Sequence, residues 1–450
     1  MSLAATQSAR SAWPRRRHRR PVPARPDFAA AAPASPWAQA EGEAGVVFAR
    51  RRHGERALPC DGAEVLLSPK RLAHHVLIMG ATGSGKSETA LRLCWSLAQA
   101  TDAPIFFLDA KGDERTAQRF IALMTDAGRR THLFPAEPLD GWRGDERAIA
   151  NRLLEVIDFA DSGPAAWYRD IARAVVHLVC RHPAGPPRSA AQALERIDLD
   201  ALRAAHPTAG ALKALGAEQV KGVRLRYEAF FAQTGDTLDG RWAWEDAQAA
   251  YLLLDSLTLR EETGALARYL LEDFSHYFAR RKSREQFCVL VVDEFSAVAQ
   301  SAGMATRIEQ ARAFNTGLIL APQVSAGMGD AAEAARILGS AETVICHRVN
   351  TPDPVIELAG TRRRIEYSTH YAPGGPTGEG SARVQHQFKV DPNDVRSLAP
   401  GEAYVINRGH AMKVDIHRAP DLPPVPAEPP AQALASPTTA AEPMPRTVSY

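Results

Sequence analysis

Short apolar runs and stretches of helical period alternate along the first third of the chain and again along the last third. The run from His74 to Met79 leads into a glycine-rich turn and then a helical pattern from Lys86 to about Gln99. A second buried run, Pro104 to Leu108, precedes helix from about Glu114 to Ala127, and Thr131 to Phe134 predicts a third strand. Strand–helix alternation of this kind predicts a parallel α/β sheet. From about Glu146 to Arg281 the period turns helical throughout, over Ile149–Phe159, Ala165–Arg181, Ala190–Ala205, Ala247–Leu257 and Gly264–Arg281. Alternation then resumes with strand Phe287–Val292, helix, strand Gly317–Ala321, helix from about Asp330, strand Thr343–His347 and a helix near Pro354–Ala359. The close is β-rich, at Ala403–Ile406 and Met412–Ile416. One α/β domain over residues 45–145 and 283–420, interrupted by an all-α domain over 146–282, accounts for this order.

Composition changes the picture only at the ends. Hydrophobic residues make up 45% and charged residues 24% of the 450, as in soluble globular proteins. No uninterrupted apolar stretch is long enough to predict a membrane-spanning helix. The N-terminus has no apolar core of a secretory signal. Cys60, Cys94, Cys180, Cys288 and Cys346 are scattered without a Cys-x-x-Cys pair, which reads as reduced cytosolic thiols. Net charge is +2, yet residues 1–25 carry seven arginines and no acid, leaving −5 for the remainder. The near balance excludes a protein that holds nucleic acid by bulk charge. The arm over 1–44, rich in Arg, Ala and Pro, is expected to be disordered. It serves either as a solvated tail or as a contact for nucleic acid or an anionic membrane. A second disordered tail, dense in Pro and Ala, is expected over 421–450.

The chemistry sits at strand ends. Gly80, Ala81, Thr82, Gly83, Ser84, Gly85, Lys86 and Ser87 match G-x-x-x-x-G-K-[ST], directly after an apolar strand and opening a helix that continues with Glu88. Glycines there let backbone N–H groups converge on phosphate oxygens, and the helix N-terminus favours an anion. Lys86 supplies a point charge for the β/γ-phosphates of ATP, and Ser87 a hydroxyl for Mg²⁺. Residues 80–88 are thus the nucleotide-binding segment. The buried strand Phe287–Val292 ends in Asp293 and Glu294. Asp293 is the candidate Mg²⁺ ligand, and Glu294 the general base that orients and deprotonates an attacking water. The acid pair favours the ATPases that work as motors over small GTPases and nucleoside kinases. Gln323, just past the strand ending at Ala321, is either a γ-phosphate sensor or a turn residue. Arg312, ahead of that strand, either reaches a neighbouring subunit's nucleotide or lies on a helix surface.

Taken in order, these pieces resemble the DNA-pumping P-loop ATPases, and within them the coupling proteins of type IV secretion in bacterial conjugation. The resemblance runs from about residue 72 to 418. It rests on the segment His75–Ser87, on Phe107–Asp113 with its Asp109, Lys111 and Asp113 box, and on Trp167–Val176. It continues through Val291–Phe295 and the closing segment Val395–Lys413. It implies a RecA-like nucleotide-binding domain carrying an all-α domain, assembled as a homo-hexamer. Such a ring hydrolyses ATP to drive DNA, as a relaxase-bound strand, toward a secretion channel. By the same resemblance Lys86 and Ser87 bind ATP–Mg²⁺, Asp293 and Glu294 form the second acidic box, Gln323 is the sensor and Arg312 the trans-acting finger. Coupling proteins of this type begin with transmembrane helices, and here the arginine arm stands in their place. The expectation is a soluble variant, cytoplasmic or peripheral at the inner membrane, recruited by a membrane partner. The alternatives are an ATPase that couples protein substrates to secretion, and a nucleotide-gated adapter.

Other candidates are weaker. Arg362, Arg363 and Arg364 form a basic cluster that is either a DNA contact or a solvated turn. The run Gly374–Gly380 reads as a flexible loop. His74 and His75, at a strand start, are expected to pack rather than bind metal. Trp167, Tyr168, Trp242 and Trp244 are expected to pack between helices.

Overall fold

A computed structural model describes residues 45–51, 64–157, 164–254, 260–281, 285–294, 303–373 and 375–425. The expectations for the arm over 1–44, for Cys60 and for tail residues 426–450 lie outside these. The described chain opens with two antiparallel strands, β1 (Val46–Arg51) and β2 (Glu64–Leu67), which the apolar pattern had not signalled. A one-turn helix α1 (Pro69–Leu72), capped by Ser68, leads to β3 (Val76–Met79). There follow α2 (Lys86–Ala100), β4 (Ile105–Asp109), α3 (Glu114–Asp126) and β5 (Thr131–Phe134), all within a residue or two of expectation. Every residue of β3 and β4 is buried, as a strand covered on both faces requires. Asp113 stops the turn after β4 and starts α3 by accepting the Arg115 N–H.

The central third is helical: α4 (Glu146–Val156), α5 (Pro164–Cys180), α6 (Ala190–Arg196), α7 (Leu199–Ala205) and α8 (Ala217–Thr234). The single helix expected over 190–205 is two. Asp198 accepts the N–H groups of Asp200 and Ala201 and so begins a new helix after Ile197. The helix expected over 247–257 is corrected to a strand, β6 (Ala249–Leu253), lying between β4 and β5 in the sheet. Its Ala-rich sequence favours helix locally. Only a strand buries Tyr251 and Leu252 on opposite faces of the sheet, and that burial prevails. After β6, α9 (Arg260–Arg280) returns to the helical layer. Trp242 and Trp244 are buried as expected, whereas Trp167 and Tyr168 are about half exposed on α5, stacked edge to face on each other.

The last third supplies β7 (Cys288–Asp293), α10 (Met304–Ala311), β8 (Thr316–Ala321), α11 (Ala331–Ser340), β9 (Thr343–Cys346) and α12 (Asp353–Ala359). Then come two long strands, β10 (Thr361–Ala372) and β11 (Gly375–Phe388), paired only with each other. The loop expected over 374–380 belongs largely to β11. A short α13 (Pro392–Arg396) and the strands β12 (Glu402–Asn407) and β13 (His410–Ile416) close the described fold. Eleven strands make one sheet in the order β2-β1-β13-β12-β9-β3-β8-β7-β4-β6-β5. The seven from β9 to β5 are parallel, and the other four extend the sheet antiparallel. Alternate residues of β3 serve different cores. Leu77 and Met79 face the large helical layer, while Val76 and Ile78 face α2 and α3.

The helical layer is tied by a buried ion pair. Arg152 on α4 is fully buried, and its Nη1 donates to Asp273 Oδ1 on α9 at 2.6 Å and to Gly141 O at 2.5 Å. Its Nη2 donates to Arg143 O, and Trp244 Nε1 donates to the second Asp273 oxygen at 2.8 Å. Burial pushes the Asp273 carboxyl up, and Arg152 opposes this. Replacing Arg152 by Ala leaves that carboxylate without its cation. A loss of about 3–5 kcal/mol is expected, read as a lowered midpoint in chemical denaturation followed by tryptophan fluorescence.

Candidate functional site

The parallel register brings three strand ends level. Met79 ends β3, Ala321 ends β8 and Asp293 ends β7, with β8 lying between the other two. Gly80–Ser87 leaves β3 as a tight loop and enters α2 at Gly85, whose φ of 114° suits glycine. A Cβ on Gly80 would collide with Ser84 Oγ and come within 2.8 Å of His347 Cβ. The cradle therefore exists only because position 80 has no side chain. Ser84 Oγ is buried and has no hydrogen-bond partner among the described residues. Such an orphan inside a glycine cradle at a helix N-terminus fits a phosphate oxygen as its partner.

Lys86 is 8% exposed, and its Nζ donates to Gly80 O at 2.7 Å. Burial lowers its pKa, while the nearby Asp293 and Glu294 carboxylates pull it up. Ser87 Oγ donates to Asp293 Oδ2 at 2.6 Å. Burial raises the Asp293 carboxyl, and the bonds from Ser87 and from the Glu294 N–H, the latter at 2.9 Å, hold it down. A hydroxyl and a carboxylate held this close are hard oxygen donors that suit Mg²⁺. Glu294 sits at φ 50°, a left-handed conformation uncommon outside glycine and asparagine. From there its Oε1 accepts a 2.7 Å bond from Gln323 Nε2. Four predicted site residues on three elements thus meet: Ser87, Asp293, Glu294 and Gln323.

Two others lie elsewhere. Glu88 points away from the loop and takes a bidentate bond from Arg119 on α3, at 2.6 and 3.0 Å, together with the Ala419 N–H at 3.1 Å. Arg312 is exposed at the end of α10, before β8 begins, and so at the far end of that strand from Gln323. The box after β4 is organised around Asp109. Its carboxylate accepts the N–H groups of Lys111 and Asp113 at 2.8 and 2.9 Å and the Tyr251 hydroxyl at 2.8 Å. His74 pairs with Glu342 at 2.5 Å, and His75 Nδ1 accepts the Leu318 N–H at 3.1 Å, so both pack as expected.

Sequence reasoning missed His347. It follows β9, is fully buried, and joins Thr89 Oγ1 on α2 through Nε2 at 2.9 Å to Glu402 O through Nδ1 at 3.0 Å. Its neighbours complete a clasp on the loop: Ala81 N donates to Arg348 O at 2.8 Å, and Gly401 N to Ser84 O at 3.3 Å. A histidine ending an apolar strand carries no motif, and only the fold shows what it supports. Tyr251, bonded to Asp109, was hidden by the misread strand.

A family model for the central domain of the helicase HerA matches residues 56–163. No curated protein matches the sequence. Among solved structures, the bacterial conjugative coupling protein TrwBdeltaN70 superposes with a TM-score of 0.60 at 14% identity, covering 79% of this chain and 87% of that one. The plasmid coupling protein TrwB in complex with ADP and Mg²⁺ gives 0.58 at 14% identity, over 83% and 91%. VirB4 of Thermoanaerobacter pseudethanolicus gives 0.57 at 14% identity, over 85% and 98%. The chain therefore has the RecA-like P-loop ATPase fold of these proteins.

Burial pushes the His347 imidazole down to about 4, and Lys86 acts in the same direction. The unfolded chain protonates near 6.5 and the folded one only near 4. The contribution of neutral His347 is complete above about pH 6.5 and is lost as pH falls toward 4. Thermal melting across that range should drop more steeply for wild type than for His347→Gln, by the linkage of about one proton. Equal slopes would mean that the imidazole is already charged in the fold.

Proposed function

We propose that this chain is an ATP-hydrolysing motor that moves DNA toward a type IV secretion channel, working as a ring of six copies. The observation that carries the ATPase part is the meeting of Ser87, Asp293, Glu294 and Gln323 at the mouth of the glycine loop. The fold shared with a conjugative coupling protein supports the DNA part.

In this reading residues 80–87 hold the phosphates of ATP, with Lys86 beside the β/γ-phosphates. Ser87 and Asp293 are the residues that would hold Mg²⁺, whose charge offsets that of the phosphate oxygens. Glu294 accepts the proton of the water that attacks the γ-phosphorus, so that the new P–O bond forms as the bond to ADP breaks. Gln323, hydrogen-bonded to that base, responds to the γ-phosphate and carries its loss into β8. Arg312, remote from its own subunit's loop, is proposed to act on a neighbour's nucleotide. A relaxase-bound strand is the proposed cargo. Cytoplasmic placement with recruitment by a membrane partner completes the reading. Among the described residues no helix is long and apolar enough to cross a membrane.

The test is ATP turnover measured alone, with single-stranded DNA and with duplex. Wild type should be stimulated by at least one. Glu294→Gln should keep nucleotide binding and lose about 10²–10⁴-fold in turnover, as expected for removal of a general base. Lys86→Ala should lose nucleotide binding as well. Turnover indifferent to every DNA would remove the motor reading, and an unimpaired Glu294→Gln variant would remove the catalytic assignment.

A further inference from the structure

β10 and β11 form a ribbon of 12 and 14 residues that pairs with no other described strand. At ~3.4 Å per residue such an arm is about 40 Å long. A two-stranded ribbon alone in water is marginal, so one this long is best explained by a partner. Its two faces differ. Residues directly opposite in the register share a face, and successive residues alternate. On one face Ile365 pairs with Val384 and Thr361 with Phe388, with Arg363 and His386 paired between them, and the three apolar side chains are about half exposed. The other face carries Arg362 and Arg364, opposite Gln387 and Gln385, and Arg383, opposite Glu366.

Several arginines of the body are paired: Arg119, Arg152, Arg307 and Arg336 each hold a carboxylate. Arg362, Arg364 and Arg383 form no ion pair with any described residue, and all three are exposed. Among the described residues the only side-chain bond of the three is a 3.3 Å contact from Arg364 to Gln387. Three exposed guanidiniums against one acid, Glu366, leave that strip net positive, which complements a polyanion. Arg362 and Arg364 stand about 7 Å apart along β10, with Arg383 on the adjacent strand. Ile365, Val384 and Phe388 point to the opposite face, so the strip that carries Arg362, Arg364 and Arg383 offers a partner only polar side chains.

The ribbon is also wired to the nucleotide loop. The excursion that contains it leaves the P-loop at Arg348, whose carbonyl holds Ala81 N, and returns at Gly401, whose N–H holds Ser84 O. Its base is closed by Lys389 N on Gly360 O at 3.0 Å and by Lys389 Nζ on Gly409 O at 2.5 Å. We propose that the β10–β11 ribbon is a DNA-binding arm. Arg362, Arg364 and Arg383 hold backbone phosphates, and the ribbon passes that engagement to the P-loop through Arg348 and Gly401. This rests on the reading of the chain as a DNA motor and names the surface that meets the DNA.

The experiment uses the full chain with labelled single-stranded and duplex DNA, and compares wild type with the triple variants Arg362→Gln/Arg364→Gln/Arg383→Gln and Arg362→Lys/Arg364→Lys/Arg383→Lys. Circular dichroism and melting confirm that each is folded. The plot of log affinity against log salt should be shallower by roughly 2–3 in slope for the glutamine variant and restored in the lysine variant. DNA-stimulated turnover should be lost in the first and kept in the second. An unchanged slope in the glutamine variant, with wild type still stimulated by DNA, overturns the arm and leaves the motor reading standing. Wild type that neither binds nor responds to DNA overturns both. Loss of binding to phosphatidylglycerol vesicles with DNA binding intact would assign the face to lipid. A changed assembly mass with DNA binding intact would assign it to a contact between copies.

Discussion

The hydrogen bond from Ser87 to Asp293 joins the first turn of α2 to the end of β7 across the strand that separates them. Its 2.6 Å length is possible only because β3, β8 and β7 are parallel and end at one level. A shift of β7 by one residue would turn Asp293 to the opposite face of the sheet. The all-buried sequences of β3, β7 and β8 make such a shift costly, since each strand is packed on both faces. The position of the acid pair is thus a consequence of core packing, and the rest of the site follows from it. Glu294 takes a left-handed backbone turn directly after the strand, and Gln323 reaches it from the end of the intervening β8.

A second layer of support comes from the other side of β3. β9 lies beside β3 on the side away from β7, and the antiparallel β12 lies beyond β9. The residues following β9 and preceding β12 take hold of the loop from outside: His347 through Thr89, Arg348 through Ala81, Gly401 through Ser84. Gly80 sits tight against this clasp, so the loop has little room to relax on that side. A loop held by three separate backbone or imidazole contacts is pre-organised, so less ordering is left for a bound phosphate to impose. The same contacts make the loop sensitive to movement in the segment between residues 349 and 400.

Most of the sheet was legible because parallel interior strands are short apolar runs between helices, and the glycine loop and the acid pair stand at their ends. Ala249–Leu253 misled because alanines satisfy a helical pattern. What makes it a strand is the gap between β4 and β5, which no local signal reports. Asp198 splits a continuous helical pattern through a capping bond that periodicity does not contain. The helix α8 fell within the stretch read as helical but was given no bounds, although Val220, Val223, Tyr227, Phe230 and Phe231 stand at helical spacing. The ribbon was the largest omission. Its strands are polar on one face and glycine-rich at the turn, which reads as loop when no core demands the strand. Within the site, motif residues were legible and supporting residues were not. Lys86, Ser87, Asp293 and Glu294 belong to recognisable spacings, while His347 and Tyr251 act through contacts that only the tertiary fold creates.

The near-neutral charge of the chain takes on a different meaning once the arginines are placed. Several in the body are structural. Arg152 is sealed between α4 and α9, Arg119 binds Glu88 between α3 and α2, and Arg307 joins α10 to Glu272 on α9. Each neutralises a carboxylate in a partly or fully desolvated setting, where an unpaired charge is costly. Such groups add nothing to the field felt by a distant polyanion, because each pair is a short dipole. On the ribbon strip three exposed guanidiniums, Arg362, Arg364 and Arg383, share a face with a single acid, Glu366. A protein with little net charge can still bind a phosphate backbone when a few uncompensated cations share one surface, since attraction depends on the local field and on the counterions that each phosphate contact releases. In the proposed motor, cations concentrated on an arm whose flanking segments hold the nucleotide loop would give DNA binding and turnover a common mechanical element, which charge spread evenly over the surface would not supply.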